Sequence, residues 1–221
     1  MKRGKNGEQP DVGALNKKLL KEVNGIYVGN KNDKSIYLTF DMGYEAGYTE
    51  KILDILKEEN VKAAFFITGH YLNSASDLVK RMIDEGHIVG NHTVNHKSMP
   101  DISDEANKDE LNKLNQMIYE KFGYEMYYMR PPEGEYSQRT LAIAQTLGYK
   151  TVLWSFAYLD FDDKNPPKNN DAIEKIMVNL HNGEIMLLHG TSKVNMEILK
   201  EVIEKIKSNG FEFKSLDEFK E

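Results

Sequence analysis

"IYLTFDMGYEAGYTE", Ile36 to Glu50, decides how the chain is to be folded. The run Ile36–Phe40 stops abruptly at a carboxylate, Asp41, followed by Gly43 and a second acid, Glu45, before an amphipathic segment begins. An apolar run with no polar alternation is the pattern of a strand covered on both faces, and a helix-period segment after it makes a strand-helix unit. The unit recurs. "AAFFIT" (63–68), "HIVGNHT" (87–93), "MYYMRPP" (126–132), "KTVLW" (150–154) and "EIMLLHG" (184–190) are the further strand candidates. Among the helices between them, one carries Ile52, Leu53 and Leu56 with Thr49 as its expected cap, and a longer one carries Leu111, Leu114 and Ile118 with Ser103 as its cap. Leu199, Val202, Ile203 and Ile206 share a face of the last, which Gly210 is expected to end.

Strand-helix alternation requires a parallel sheet, as in a βα barrel or a doubly wound sheet. The first 34 residues are polar, apart from a short helical pattern through Ala14, Leu15, Leu19 and Leu20, and read as an N-terminal extension (1–34) to a single domain, 35–221. An extended loop is expected over "DFDDKNPPKNND", 160–171, where Pro166 and Pro167 forbid regular structure.

A formal charge of −6 supplies no basic field for tracking phosphates, which argues against nucleic acid as a partner. The chain has no cysteine, so disulfides, thiolate metal sites and cysteine nucleophiles are excluded. No apolar run reaches the roughly 18 residues of a membrane span. The start, "MKRGKNGEQPDVG", has basic residues but no apolar stretch after them, so no signal peptide is legible and a secreted form would need a leader before it.

Polar residues recur at one place in each unit. Asp41 follows "YLTF", His92 follows "IVGN", Arg130 follows "YYM", Asp160 comes soon after "VLW", and His189 follows "IMLL". All lie at the carboxyl ends of strands, the face on which parallel α/β architectures assemble their sites. Singly each has a bland explanation: Asp41 as a turn cap, Arg130 as an ion-pair residue, His189 as a core histidine. Jointly they would need five accidents at equivalent positions. "HTVNH", His92 to His96, sets two imidazoles four residues apart; if that segment turns helically, both can grip one divalent ion.

In order and spacing, Thr39-Phe40-Asp41, His92-Thr93-x-x-His96, Arg130-Pro131-Pro132-x-Gly134, Trp154-Ser155 to Asp160, and Leu187-Leu188-His189 resemble the polysaccharide deacetylases of carbohydrate esterase family 4, the NodB-homology family. The resemblance covers roughly Ile36 to Leu216. "FDMGYEAGYT", "WSFAYLD" and "LLHGTSKVN" are similar to the subgroup that de-N-acetylates muramic acid in spore cortex peptidoglycan during δ-lactam formation. It implies an α/β fold, a distorted (β/α) barrel of about seven parallel strands.

The resemblance also implies roles. Asp41 becomes the general base, Arg130 its orienting cation, and His189 the general acid with Asp160 beside it. His92 and His96 become ligands of a divalent ion, zinc or another transition metal. The Glu133 N–H becomes an oxyanion donor, and Leu187 lines the pocket for the acetyl methyl. Pro131, Pro132, Gly134 and Trp154 shape the substrate site, while Thr191, Ser192, Lys193 and Asn195, just after His189, are expected to meet the sugar's lactyl carboxylate. Where the family usually has a second, metal-binding aspartate after the base, this chain has Met42, and a thioether is a poor ligand for zinc or magnesium. The implied activity is metal-assisted hydrolysis of the N-acetyl group of N-acetylmuramic acid, with acetate released, by a monomer acting on peptidoglycan strands outside the cytoplasm. Three alternatives stand beside it: a deacetylase of N-acetylglucosamine or chitin-type glycans; a non-catalytic glycan-binding relative, on the strength of Met42; and a glycosidase pairing Asp41 with Glu45 or Asp160.

Overall fold

The first apolar run becomes strand β1 (Ser35–Met42), and all eight of its residues are buried. A computed structural model describes residues 7–162 and 164–220; the first six residues of the expected extension, Asp163 of the expected loop, and Glu221 lie outside the described residues. Around β1 the chain lays down β2 (Ala64–Ile67), β3 (Ile88–Asn91), β4 (Tyr128–Met129), β5 (Lys150–Thr151), β6 (Glu184–His189) and β7 (Glu212–Phe213). The helices are α1 (Ala14–Glu22), α2 (Thr49–Glu58), α3 (Gly69–Ser74), α4 (Ser76–Asp84), α5 (Asp104–Phe122), α6 (Gln138–Thr146), α7 (Asn169–Met177) and α8 (Lys193–Ser208). No helix among the described residues is long and apolar enough to cross a membrane.

The sheet runs β5-β4-β3-β2-β1-β6, with β7 pairing the start of β1, and every pairing is parallel. It curls into a half-barrel. Across the gap, the chain leaving β5 returns to β6: Phe156 bridges Met186, and the Leu187 N–H donates to the Phe156 carbonyl at 2.9 Å.

Period-two alternation sorts β1 onto two faces. Ile36, Leu38, Phe40 and Met42 pack outward with Leu53 and Leu56 of α2 and with Ile198, Leu199 and Val202 of α8. Tyr37 packs on the other face with Phe66, Ile88, Val152 and Ile185. Asp41 shares the parity of Tyr37 and Thr39, so the strand delivers its carboxylate to the concave side and its neighbour Met42 to the helix side.

Two local expectations change. Thr49 is the first residue of α2 and does not cap it; the Glu45 carboxylate does, accepting from the Gly47 N–H at 2.6 Å, the Tyr48 N–H at 3.0 Å and the Thr49 N–H at 3.4 Å. A carboxylate reaching back over the first turn satisfies several orphan amides where a threonine hydroxyl satisfies one. The segment before residue 35 is also bound into the barrel rather than appended to it. Leu20 and Ile26 are buried, Ile26 bridges Val152, and the Gly29 N–H donates to the Gly183 carbonyl at 2.7 Å. Ser103 does cap α5, accepting from the Ala106 N–H, and Gly210, with φ of 80°, follows the last residues of α8.

Candidate active site

At the carboxyl end of the sheet lies a cavity of about 620 Å³ whose wall includes Asp41, His92, His96, Glu133, Trp154, Leu187 and His189. Asp41 and His189 are register partners on β1 and β6. Adjacent parallel strands therefore carry both side chains to one rim.

Arg130, which follows β4, is fully buried, and each of its three guanidinium nitrogens donates one hydrogen bond. Nη1 donates to Asp41 Oδ1 at 2.8 Å, Nε to the Val152 carbonyl at 3.0 Å and Nη2 to the Leu153 carbonyl at 3.2 Å. The Phe66 ring stacks 4.2 Å from it and the Trp154 ring lies at 5.6 Å. Burial pushes the Asp41 pKa upward, but Arg130, His92 and His189 together outweigh it, so Asp41 is held below the ordinary carboxylate value. Burial in turn lowers Arg130 against the pull of Asp41.

Asp160 makes the opposite arrangement. Its Oδ1 lies 2.7 Å from His189 Nδ1 and its Oδ2 accepts the His189 backbone N–H at 2.8 Å, so one carboxylate fixes both the ring and the strand end. Asn195 of α8 donates to Asp160 and accepts from the Tyr158 hydroxyl, which holds Asp160 in turn. Burial lowers the His189 pKa, but the hydrogen bond and charge of Asp160, with Asp41 adding to them, raise it above the usual histidine value. Phe161 meets the His189 ring edge-on at 5.0 Å.

His92 and His96 do not lie on a helix. Thr93 and His96 adopt left-handed conformations, φ of 66° and 54°, with the Asn91 side chain accepting the Thr93 N–H and the Thr93 hydroxyl accepting the His96 N–H. The expected helical turn is replaced by these side-chain bonds, which still bring the two rings edge to face with centroids 4.8 Å apart. His92 Nδ1 is 2.8 Å from the Arg130 carbonyl. A carbonyl only accepts, so Nδ1 carries the proton and Nε2 presents its lone pair, 3.7 Å from Asp41 Oδ2. Burial depresses the His92 pKa to about 4, which keeps the ring neutral.

That tautomer, fixed by a backbone carbonyl, is the form in which an imidazole binds a metal. The residues thus fit a divalent ion at two nitrogen positions. Among the described residues, no group of three His, Cys, Asp or Glu side chains is arranged to hold one. Met42 does not stand in: it is wholly buried in the outward core, with its sulfur against Gly190, where any β-carbon would lie only 2.3 Å from it.

Glu133 sits in the left-handed region, φ of 58°, in the turn after Pro131 and Pro132, and its N–H has no protein acceptor among the described residues. Gly134 beside it has φ of 69° and lies so close to Trp154 that a β-carbon would come within 2.5 Å of the indole. Pro131, Pro132 and Gly134 are therefore not on the cavity wall; they set the turn that presents Glu133 and supports Trp154. Ser192 is buried and accepts the Asn195 N–H as the cap of α8, and Lys193 is 67% exposed and paired with Glu197 at 3.2 Å. Both line a second cavity rather than the first.

The sequence motifs did not single out Tyr44, Tyr158 and Phe161 for the site, yet these complete the wall. Phe161 is 54% exposed and Tyr44 46% exposed; the place of Tyr44 two residues after β1, and of Phe161 directly after Asp160, is the signal that would have found them. Glu45 is directed elsewhere, to the start of α2 and the Tyr71 hydroxyl at 2.9 Å, and does not line the cavity, so it is not placed to pair with Asp41 as a glycosidase requires. Asp160 is committed to His189.

The family model for polysaccharide deacetylase matches residues 28–152. The peptidoglycan-N-acetylmuramic acid deacetylase PdaA of Bacillus subtilis is 40% identical over 218 residues, 98% of this chain and 83% of that protein. Its structure, that of a family 4 carbohydrate esterase, superposes with a TM-score of 0.95 over 99% of this chain and 94% of the other. A family 4 carbohydrate esterase from Bacillus anthracis is 42% identical with a TM-score of 0.83, covering 99% and 98% of the two chains. The peptidoglycan-N-acetylglucosamine deacetylase PgdA of Listeria monocytogenes is 32% identical over 188 residues, 85% of this chain and 39% of that protein.

Proposed function

Since the chain belongs to the polysaccharide deacetylase family, we propose that it removes the N-acetyl group of N-acetylmuramic acid in peptidoglycan strands, outside the cytoplasm and in the formation of spore cortex δ-lactam. It is a deacetylase, an amide hydrolase, and the fold is the family's distorted barrel. The observation that carries the reaction is the pair at the strand ends: Asp41 held ionised by Arg130, and His189 held protonated by Asp160, across one cavity.

Amide hydrolysis needs a base for water, a partner for the oxyanion and an acid for the leaving amine. Asp41 takes a proton from water, whose oxygen bonds to the acetyl carbon. The Glu133 N–H faces the oxyanion of the tetrahedral intermediate. Collapse breaks the C–N bond while His189 gives its proton to the nitrogen, so acetate and a free amine leave. Leu187, buried on the cavity wall, contacts the acetyl methyl. His92 and His96 are the residues that would hold a divalent ion, which when bound polarises the carbonyl and acidifies water. Similarity to PdaA supports the choice of muramic acid.

Incubation with peptide-free peptidoglycan and then muropeptide mass spectrometry tests this. Acetyl loss at muramic acid, matched by free acetate, is expected. Loss confined to glucosamine overturns the substrate, and the absence of any loss overturns the activity.

A further inference from the structure

Trp154, Ala157, Tyr158 and Phe161 reach the catalytic cavity from a stretch that belongs to no strand, the chain that leaves β5 and closes the barrel against β6. Its pairing is irregular. The Ser155 N–H and the Phe156 N–H both donate to the Ile185 carbonyl, at 3.0 and 3.2 Å, so two residues face one, as in a β-bulge. The bulge reverses the side-chain alternation. Strict period two would put Trp154 and Phe156 on one face; instead Phe156 enters the outward core, and Trp154 and Ala157, three residues apart, both face the cavity. Trp154 then backs Gly134, which stands beside the Glu133 N–H.

A chain of buried side chains ends on this bulge. The Ser155 hydroxyl oxygen accepts the Ile185 N–H at 3.0 Å and lies 2.8 Å from His181 Nε2. His181 Nδ1 lies 2.8 Å from the Asn179 carbonyl and 3.1 Å from Glu184 Oε2, so Nδ1 carries a proton and Nε2 is turned to Ser155. Glu184 also accepts the His181 backbone N–H at 3.2 Å, and its other oxygen, buried, has no partner among the described residues. A carboxylate oxygen left buried and unbonded is costly, which points to a role for the group beyond packing. The connectivity is that of a serine nucleophile, its histidine and a carboxylate. A nucleophilic role does not fit: Ser155 is buried, does not line the cavity, and its oxygen already accepts from Ile185. What these side chains hold is the bulge.

We infer that Ser155 and His181 are positioning residues for the deacetylation: His181, oriented by Glu184, fixes the Ser155 hydroxyl against the Ile185 N–H, and that bond keeps the bulge which aims Trp154 and Ala157 into the cavity. This rests on the deacetylase reaction and not on which sugar is the substrate. Without the hydroxyl the Ile185 N–H loses its acceptor at the bulge, and the stretch is free to slip by one residue, which turns Trp154 away from the Gly134 turn. Misplacement of a positioned group by about 1 Å lowers turnover by up to about 10²-fold.

Trp154 is the only tryptophan of the chain, so its fluorescence reports its own setting without substrate. The test measures emission maximum, acrylamide quenching and kcat for acetate release from peptide-free peptidoglycan strands on Ser155→Ala, His181→Leu and His181→Gln, with Glu45→Ala as a destabilised control away from the bulge. Ser155→Ala and His181→Leu should shift the emission to the red, raise quenching and lower kcat by about 10–100-fold. His181→Gln places an amide that can accept or donate near the position of Nε2, so it should keep the wild-type emission and a kcat within about threefold, though Tm falls as Glu184 loses a partner. Glu45→Ala should leave the emission unchanged. Wild-type emission and kcat in Ser155→Ala, or the same losses in His181→Gln as in His181→Leu, overturn the assignment. So does a Ser155→Ala protein that does not fold, which would make the hydroxyl a support of the whole fold, and so does a red shift in Glu45→Ala, because the probe would then follow stability. A red shift with kcat unchanged overturns the part of the bulge in the reaction. Absence of acetate release by the wild type overturns the deacetylase reading instead, and the emission of the variants then decides whether the pair holds the bulge.

Discussion

Asp41 and His189 are register partners on neighbouring parallel strands and are driven to opposite protonation states. Arg130 lowers the pKa of one and Asp160 raises that of the other, so the base is ionised and the acid protonated over the same pH range. Two groups pushed apart in this way are equipped for a reaction that needs both at once.

The pH profile should reflect those shifts. His189 acts as an acid only while protonated, so its raised pKa sets the alkaline limb of kcat/KM above the ordinary histidine value of 6.5. Asp160→Asn removes the charge and should move that limb to lower pH. An unmoved limb would assign the titration to another group.

Arg130 and Asp41 form a buried pair, and removing one member strands the other's charge. Arg130→Met should cost about 3–5 kcal/mol in urea denaturation. Adding Asp41→Asn should recover a substantial part of that, since the stranded charge is then gone. Additive losses in the double variant would show that the pair is not coupled.

Glu45 caps α2 and does not face the cavity. Glu45→Ala should lower stability by about 1–2 kcal/mol while leaving kcat within about twofold of wild type. A loss of activity much larger than the loss of folded protein would return Glu45 to the chemistry.

Met42 occupies the position where the family usually carries an aspartate. An aspartate there would be buried in an apolar setting, so Met42→Asp should lower Tm in chelator, and zinc should restore it by more than zinc raises wild type. Equal zinc shifts in the two proteins would mean that a carboxylate at 42 does not reach the ion held by His92 and His96.

The six main strands were legible because strands covered on both faces read as unbroken apolar runs, and the site was legible because a parallel sheet brings the residues at the carboxyl end of each run to one rim. β7 was not: Glu212–Phe213 is as short as β4 and β5, but where those lie in the apolar runs 126–129 and 151–154, it sits among Glu212, Lys214 and Ser215 with no run around it. The binding of residues 7–34 into the barrel rests on an isolated bridge at Ile26 and a backbone bond from Gly29, which no periodicity encodes. The spacing of His92 and His96 marks them as a pair but suggests the wrong backbone, because left-handed Thr93 and His96 are stabilised by the hydroxyl of Thr93 and the amide of Asn91 rather than by a local propensity.

Acetate release by Asp41→Asn bears most directly on the central claim, that a carboxylate at the end of β1 is the base. The substitution preserves shape and still accepts a hydrogen bond from Arg130, but it cannot take a proton from water. Turnover on peptide-free muramoyl strands should fall by about 10²–10⁴-fold, with KM changed by less than about threefold. Acetate release within tenfold of wild type would contradict the account.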